Sequence, residues 1–173
     1  MSNIPEKLIA FQCYKDGKVL VGIVDVDFSG GEFMSEELSG AGIAGAIESP
    51  TIGHTKPISA KFKFRTRTRQ SVELMAPKAH MLELRASVQS RTVGGELAST
   101  PEKIVVQATP KGGIAGKFET GKPQDQERDF SVTYYKAVIN GEEALEIDPI
   151  NSKYVVNGTD YLASVRRDIG MEG

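Results

Sequence analysis

Gly112-Gly113-Ile114-Ala115-Gly116-Lys117 has the small residues and the cation with which a backbone loop cradles phosphate oxygens. The Gly-x-x-x-x-Gly-Lys-Ser/Thr spacing is not met, because Phe118 follows Lys117, and the loop is set aside as a nucleotide site. In the glycine run 40–45, no Gly-x-Gly-x-x-Gly hexad is followed by a crossover helix, which removes a dinucleotide fold. Glu142, Glu143, Glu146 and Asp148 are close enough for acid/base work, but a hairpin arm with acidic residues on its wet face explains them better. Cys13 is the single cysteine, so no disulfide or thiolate cluster can form within the chain. Its apolar surroundings, residues 8–14, point to a packed thiol rather than a nucleophile. His54 and His80 have no Cys or His at ligand spacing and read as ordinary surface or turn histidines. No serine combines with a histidine and an acid in a recognisable elbow. The expectation is a chain with no catalytic residues, no cofactor site and no metal site.

The elements that would carry these residues belong to an ordinary soluble domain. The chain has 173 residues, 39% apolar and 25% charged, which suits a single core spanning 1–173. Lys and Arg number 21 against 23 Asp and Glu, and a net charge of −2 argues against a protein whose main task is neutralising nucleic-acid phosphates. No apolar stretch approaches a membrane span and the N-terminus lacks a signal-peptide core, so a cytosolic origin is expected.

Strand signals dominate. Residues 8–14 and 18–28 read as two strands that pair across Asp16-Gly17. The glycine-spaced stretch 39–57 has little side-chain surface with which to fix itself and reads as a flexible or partner-dependent extension. From residue 58 to 69 the alternation is nearly strict. Phe62, Phe64, Thr66 and Thr68 fall on one face, and Lys61, Lys63, Arg65, Arg67 and Arg69 on the other. Successive cations on that face lie about 6.6 Å apart, inside the screening length, so acidic groups should lie opposite. Asp25, Asp27, Glu32, Glu36, Glu37 and Glu48, from this chain or a neighbouring copy, can supply them, and a solvated face is the alternative. Residues 71–76 allow one or two helical turns N-capped by Ser71 and stopped by Pro77. Strands over 81–89 and 102–109, an exposed loop over 111–128, and strands over 129–139 and 142–147 joined by Asn140-Gly141 follow. A short helix within 159–167 closes the inventory. About eight antiparallel strands, a short helix and a long extended loop make a mainly β barrel or sandwich.

The last third runs Tyr134-Tyr135, the Asn140-Gly141 hairpin, Glu146-Ile147-Asp148, Ile150-Asn151, Val156-Asn157-Gly158, Arg166-Arg167 and Ile169-Gly170. This order resembles the end of the major tail tube proteins of contractile-tailed phages and the related R-type bacteriocins, and residues 39–45 look like the family's Gly-Ala-Gly element. The resemblance implies a β-barrel-like subunit assembling into hexameric rings stacked as a hollow tube. It makes 39–57 the inter-ring extension, and gives as partners other copies of the chain, a sheath, a baseplate hub, and tape-measure and tail-terminator proteins, with DNA only as transient lumen cargo. It also implies a place in the virion tail or bacteriocin particle, with synthesis in the bacterial host cytoplasm and no membrane insertion. The inter-subunit candidates are Gly40, Gly42, Ile43, Gly45, Lys61, Lys63, Arg65, Arg67, Arg69, Glu146, Asp148, Asn151, Asn157, Arg166 and Arg167. Edge pairing between subunits would remove the hazard of open strand borders. A barrel binding an oligonucleotide or other ligand is the rival, weakened because Phe62 and Phe64 lie opposite the basic face and cannot stack bases beside it.

Overall fold

A computed structural model describes residues 3–171. Period-two patterning and turn glycines make antiparallel strands the dominant element: β1 (Ile4–Lys15), β2 (Val19–Leu20), β3 (Val24–Ser29), β4 (Phe33–Leu38), β5 (Ile47–Thr55), β6 (Ile58–Phe64), β7 (His80–Arg91), β8 (Leu97–Pro110), β9 (Gln126–Ile139), β10 (Glu142–Asp148), β11 (Lys153–Val156) and β12 (Thr159–Asp160). Two short helices, α1 (Arg69–Glu73) and α2 (Ala163–Asp168), complete it. The mainly β class expected from the sequence is what the chain adopts, with twelve strands among the described residues rather than about eight, and with β1, β7, β8 and β9 longer than anticipated.

One sheet runs β12-β11-β10-β9-β8-β7-β1-β2, and a branch leaves it at β9. The first half of β9, residues 126–132, pairs with β6, which pairs in turn with β3. The second half, residues 135–139, pairs with β10 on that same edge. The path β3-β6-β9-β8-β7-β1 curls over a core of Phe62, Phe64, Phe130, Leu74, Leu82 and Val106, all inaccessible or nearly so. Each such side chain contributes about 1.5–3 kcal/mol of burial. The Phe62 and Phe130 rings meet edge-on at 5.0 Å. The curl stops short of closure. Between the borders of β1 and β3 lies an apolar groove of about 440 Å³, lined by Leu8, Phe11, Val26, Phe28 and Ile104 among others.

The expected pairing of the first two strands is corrected in part. Tyr14 and Lys15 do face Leu20 and Val19, but the ladder ends there. Gly22 takes φ +126° and swings the chain away, so residues 24–29 pair with β6 instead of β1. The helix also starts earlier than expected. Thr68, not Ser71, is the N-cap: Ser71 N–H donates to Thr68 Oγ1 at 3.0 Å and Thr68 N–H donates to Ser71 Oγ at 3.0 Å. Asn140-Gly141 forms the hairpin turn as its residue types require, with φ of +51° and +82°.

The extension is more regular than a glycine-rich loop. β4 and β5 form their own two-stranded hairpin, with residues 39–46 at its tip. Nearly every residue of both strands is exposed. Its base is anchored on the C-terminal strands, where Phe33 packs on Tyr154 at 5.2 Å and Gly53 lies against Leu162.

Candidate functional site

The basic face begins as the alternation predicts and ends sooner. Lys61 and Lys63 point outward from β6, flanked by Asp27 and Asp25 on β3 and by Asp129 and Glu127 on β9. Lys61 Nζ lies 3.8 Å from Glu127. Asp25 and Asp27 were anticipated as counter-charges. Glu127 and Asp129 were not, because nothing local to β6 reveals its second neighbour. The strand stops at Phe64. Arg65 then bridges Asp25 at 2.9 Å and Asp125 at 3.0 Å. Arg69 has left the strand to begin α1, and Arg67 faces a cleft beside that helix, its guanidinium 5.7 Å from the Phe118 ring. The five cations therefore do not form one strip.

Gly40, Gly42, Ile43 and Gly45 all sit at the tip of the β4–β5 arm, where a Cβ added at any of the three glycines would meet nothing within 4 Å. The arm exposes Phe33, Met34, Leu38, Ile43, Ile47 and Ile52. Glu37 and Glu48 face each other across its strands, an unfavourable pairing of like charges, with Glu36 next to them.

The C-terminal candidates are tied into the subunit. Glu146 is 6% exposed, not on a wet face as the sequence suggested. The Tyr134 hydroxyl donates to one of its oxygens at 2.9 Å and Lys153 lies 2.7 Å from the other. Burial works to raise its pKa, but these partners outweigh burial and hold it below the ordinary carboxylate value. Asp148 accepts from the backbone N–H and side-chain amide of Asn151 and so closes the turn after β10. Asn157, at φ +47°, makes the β11–β12 turn with Gly158. Arg166 holds Asp160 at 2.7 Å and the Ser152 carbonyl at 2.9 Å, while Arg167 is exposed in the last turn of α2.

The expected exposed loop 111–128 ends at Asp125. Gln126–Arg128 open β9, with Gln126 1% and Arg128 7% exposed. Arg128 donates to the Ser71 carbonyl and, at 3.1 Å, to Gln126 Oε1, with its guanidinium 5.4 Å from the Phe64 ring. The parity of Phe130 and Val132, carried two and four residues back along the strand, was the signal that both side chains face inward. His80 departs likewise from its expected surface position: it is buried at the start of β7, with Nε2 3.1 Å from the Ala76 carbonyl. Cys13 is fully buried, and burial pushes its thiol up to about 12. Among the described residues no group of three His, Cys, Asp or Glu could hold a metal ion, and no helix is long and apolar enough to cross a membrane.

These surfaces are edges, an exposed arm and turn-locking polar side chains. The model of the phage tail tube protein FII family matches residues 5–170. The chain belongs to the phage tail tube FII family. It is 36% identical over 77 residues to the tail tube protein of Escherichia phage P2, a stretch making up 42% of this chain and 44% of that relative. The match therefore spans less than half of the relative's length. Tail tube proteins are structural components of the virion tail, and the mainly β architecture above is in keeping with that class.

Proposed function

We propose that the chain, as one tail-tube domain, forms the inner tube of a contractile tail by stacking hexameric rings. It thereby supplies the conduit for DNA in a phage or for membrane puncture in a bacteriocin-type particle. The observation that carries this reading is the β4–β5 arm, whose apolar side chains lie in water along both strands although the core has no need of them. An arm of that kind gains its stabilisation when a neighbouring ring covers it, and the apolar surface then buried offsets the conformational entropy lost in ordering its tip. Among the described residues the border of β1 between residues 4 and 12 and the outer border of β3 have no strand partner; they flank the apolar groove and suit pairing with adjacent copies within a ring. Sheath, baseplate hub, tape-measure and terminator proteins are the further partners of such a tube, made in the host cytoplasm and carried in the tail.

Electron microscopy of the purified chain tests this directly. The unaltered protein yields rings or tubes, whereas Ile43→Asp combined with Ile47→Asp yields soluble subunits whose stability changes by no more than about 0.5 kcal/mol, as expected at exposed sites. Tubes of normal length from the double variant would remove the arm from the assembly, and a chain that stays monomeric at high concentration would remove the tube reading itself.

A further inference from the structure

The cleft between α1 and the glycine loop after β8 is built like a binding site, and of the two occupants considered below only the one supplied by a second copy rests on the tube reading. It encloses about 170 Å³ and is lined by Arg67, Gln126, Arg128 and residues 113–115, with Val72 and Met75 as its apolar wall. Arg128 is more than nine-tenths buried, yet its recorded partners are a carbonyl and an amide oxygen. Asp125 is engaged by Arg65, Glu127 lies by Lys61 on the outer face, and no described carboxylate is within ion-pair reach of Arg67 or Arg128. Beside these cations the fully buried Gln126 Nε2 has no acceptor, its Oε1 being used by Arg128.

A buried guanidinium without counter-charge and a buried amide donor without acceptor are each costly. A single small anion would relieve both. The loop is suited to close over it. Gly112, Gly113 and Gly116 have φ between +88° and +141°, and residues 112–116 donate no backbone hydrogen bond to the described protein. A Cβ at Gly116 would lie 2.8 Å from Gln126 Cγ, so glycine there lets the loop approach the amide.

We propose that this cleft is an oxyanion-binding site, taking one carboxylate or phosphate group between Arg67, Arg128 and Gln126 Nε2. Free inorganic phosphate is one source. The other is a glutamate of a second copy, such as the Glu36, Glu37 and Glu48 group on the arm, which has an excess of exposed negative charge.

The test titrates inorganic phosphate into the dilute full-length chain, with chloride at matched ionic strength as control, and follows thermal stability. Phosphate gives a saturable rise in Tm that chloride does not, and Arg128→Gln or Arg67→Gln weakens the apparent affinity about tenfold or more. Gln126→Glu, which places a carboxylate inside the cleft, raises Tm without phosphate and abolishes the phosphate response. Should Arg128→Gln fail to fold, Arg67→Gln and Gln126→Glu decide the matter. Sedimentation of the concentrated chain separates the sources. Phosphate that shifts the distribution to smaller species identifies a neighbour's carboxylate as the occupant, and an unchanged distribution with phosphate bound identifies the free anion. The site is overturned if phosphate gives no response beyond chloride, or if the response survives in the Arg67 and Gln126 variants.

Discussion

The Tyr134 hydroxyl donates a hydrogen bond to Glu146 at 2.9 Å, joining β9 to β10 through their side chains, and Lys153 on β11 approaches the same carboxylate from the other side. Three consecutive strands, β9, β10 and β11, are thereby pinned by one buried acid.

Acid should release that pin. Glu146 and Asp160 both titrate below their ordinary values of 4.5 and 3.8, Glu146 because Lys153 and Tyr134 outweigh its burial and Asp160 chiefly through its hydrogen bond from Arg166. A carboxyl depressed in the folded state contributes stability that is complete above its unfolded value and lost as pH falls through its folded one. Thermal melts should therefore be flat from neutrality to about pH 5 and fall steeply below about pH 4. Glu146→Gln should cost about 1–3 kcal/mol at neutral pH and flatten that fall. An unchanged acid limb would mean that other carboxyls govern it.

Removing the cap of α1 should have a defined effect. Thr68→Ala leaves the Ser71 N–H without its acceptor and should cost about 1 kcal/mol in urea denaturation, while Thr68→Ser keeps the oxygen and most of the stability.

Gly30 sits at the root of the arm with φ +85°, and a Cβ there would fall 2.0 Å from the Pro57 carbonyl oxygen. Gly30→Ala must move backbone and should destabilise by about 1–3 kcal/mol through strain alone. Amide hydrogen exchange should show new exposure at Lys56 N–H, whose bond to the Glu32 carbonyl ties the two ends of the arm. Unchanged exchange at Lys56 would locate the relaxation elsewhere.

Cys13 should be silent toward thiol reagents in the folded chain, since its thiol is inaccessible and held in the neutral form. Full reaction should appear only with global unfolding, so the labelling rate in increasing urea should track the denaturation curve. Fast labelling of the native protein would show that β1 opens locally.

What the sequence disclosed was governed by neighbours along the chain. Asn140-Gly141 dictated its turn through the left-handed conformation those residues accept, and Phe62 and Phe64 announced the buried face of β6 by alternation alone. What it concealed depended on strands arriving from afar. Nothing near Lys61 shows that Glu127 and Asp129 will lie beside it, because β9 follows some sixty residues later. Gln126 and Arg128 read as loop residues because a polar side chain in an inward position has the same letters as one in water; the parity of Phe130 and Val132 marks their face, but only α1, arriving from afar, shows why they are buried. The arm hid its strands because both of its faces are exposed, and a strand with no buried face leaves no period-two signature.

The branch at β9 has a temporal meaning. As a ribosome lengthens the chain, β6 and β8 emerge well before the strand that must lie between them, and each waits with a vacant flank. A product truncated ahead of residue 126 lacks the strand that joins β6 to β8, so incomplete translation yields chains with two open flanks, the kind that chaperones and proteases remove.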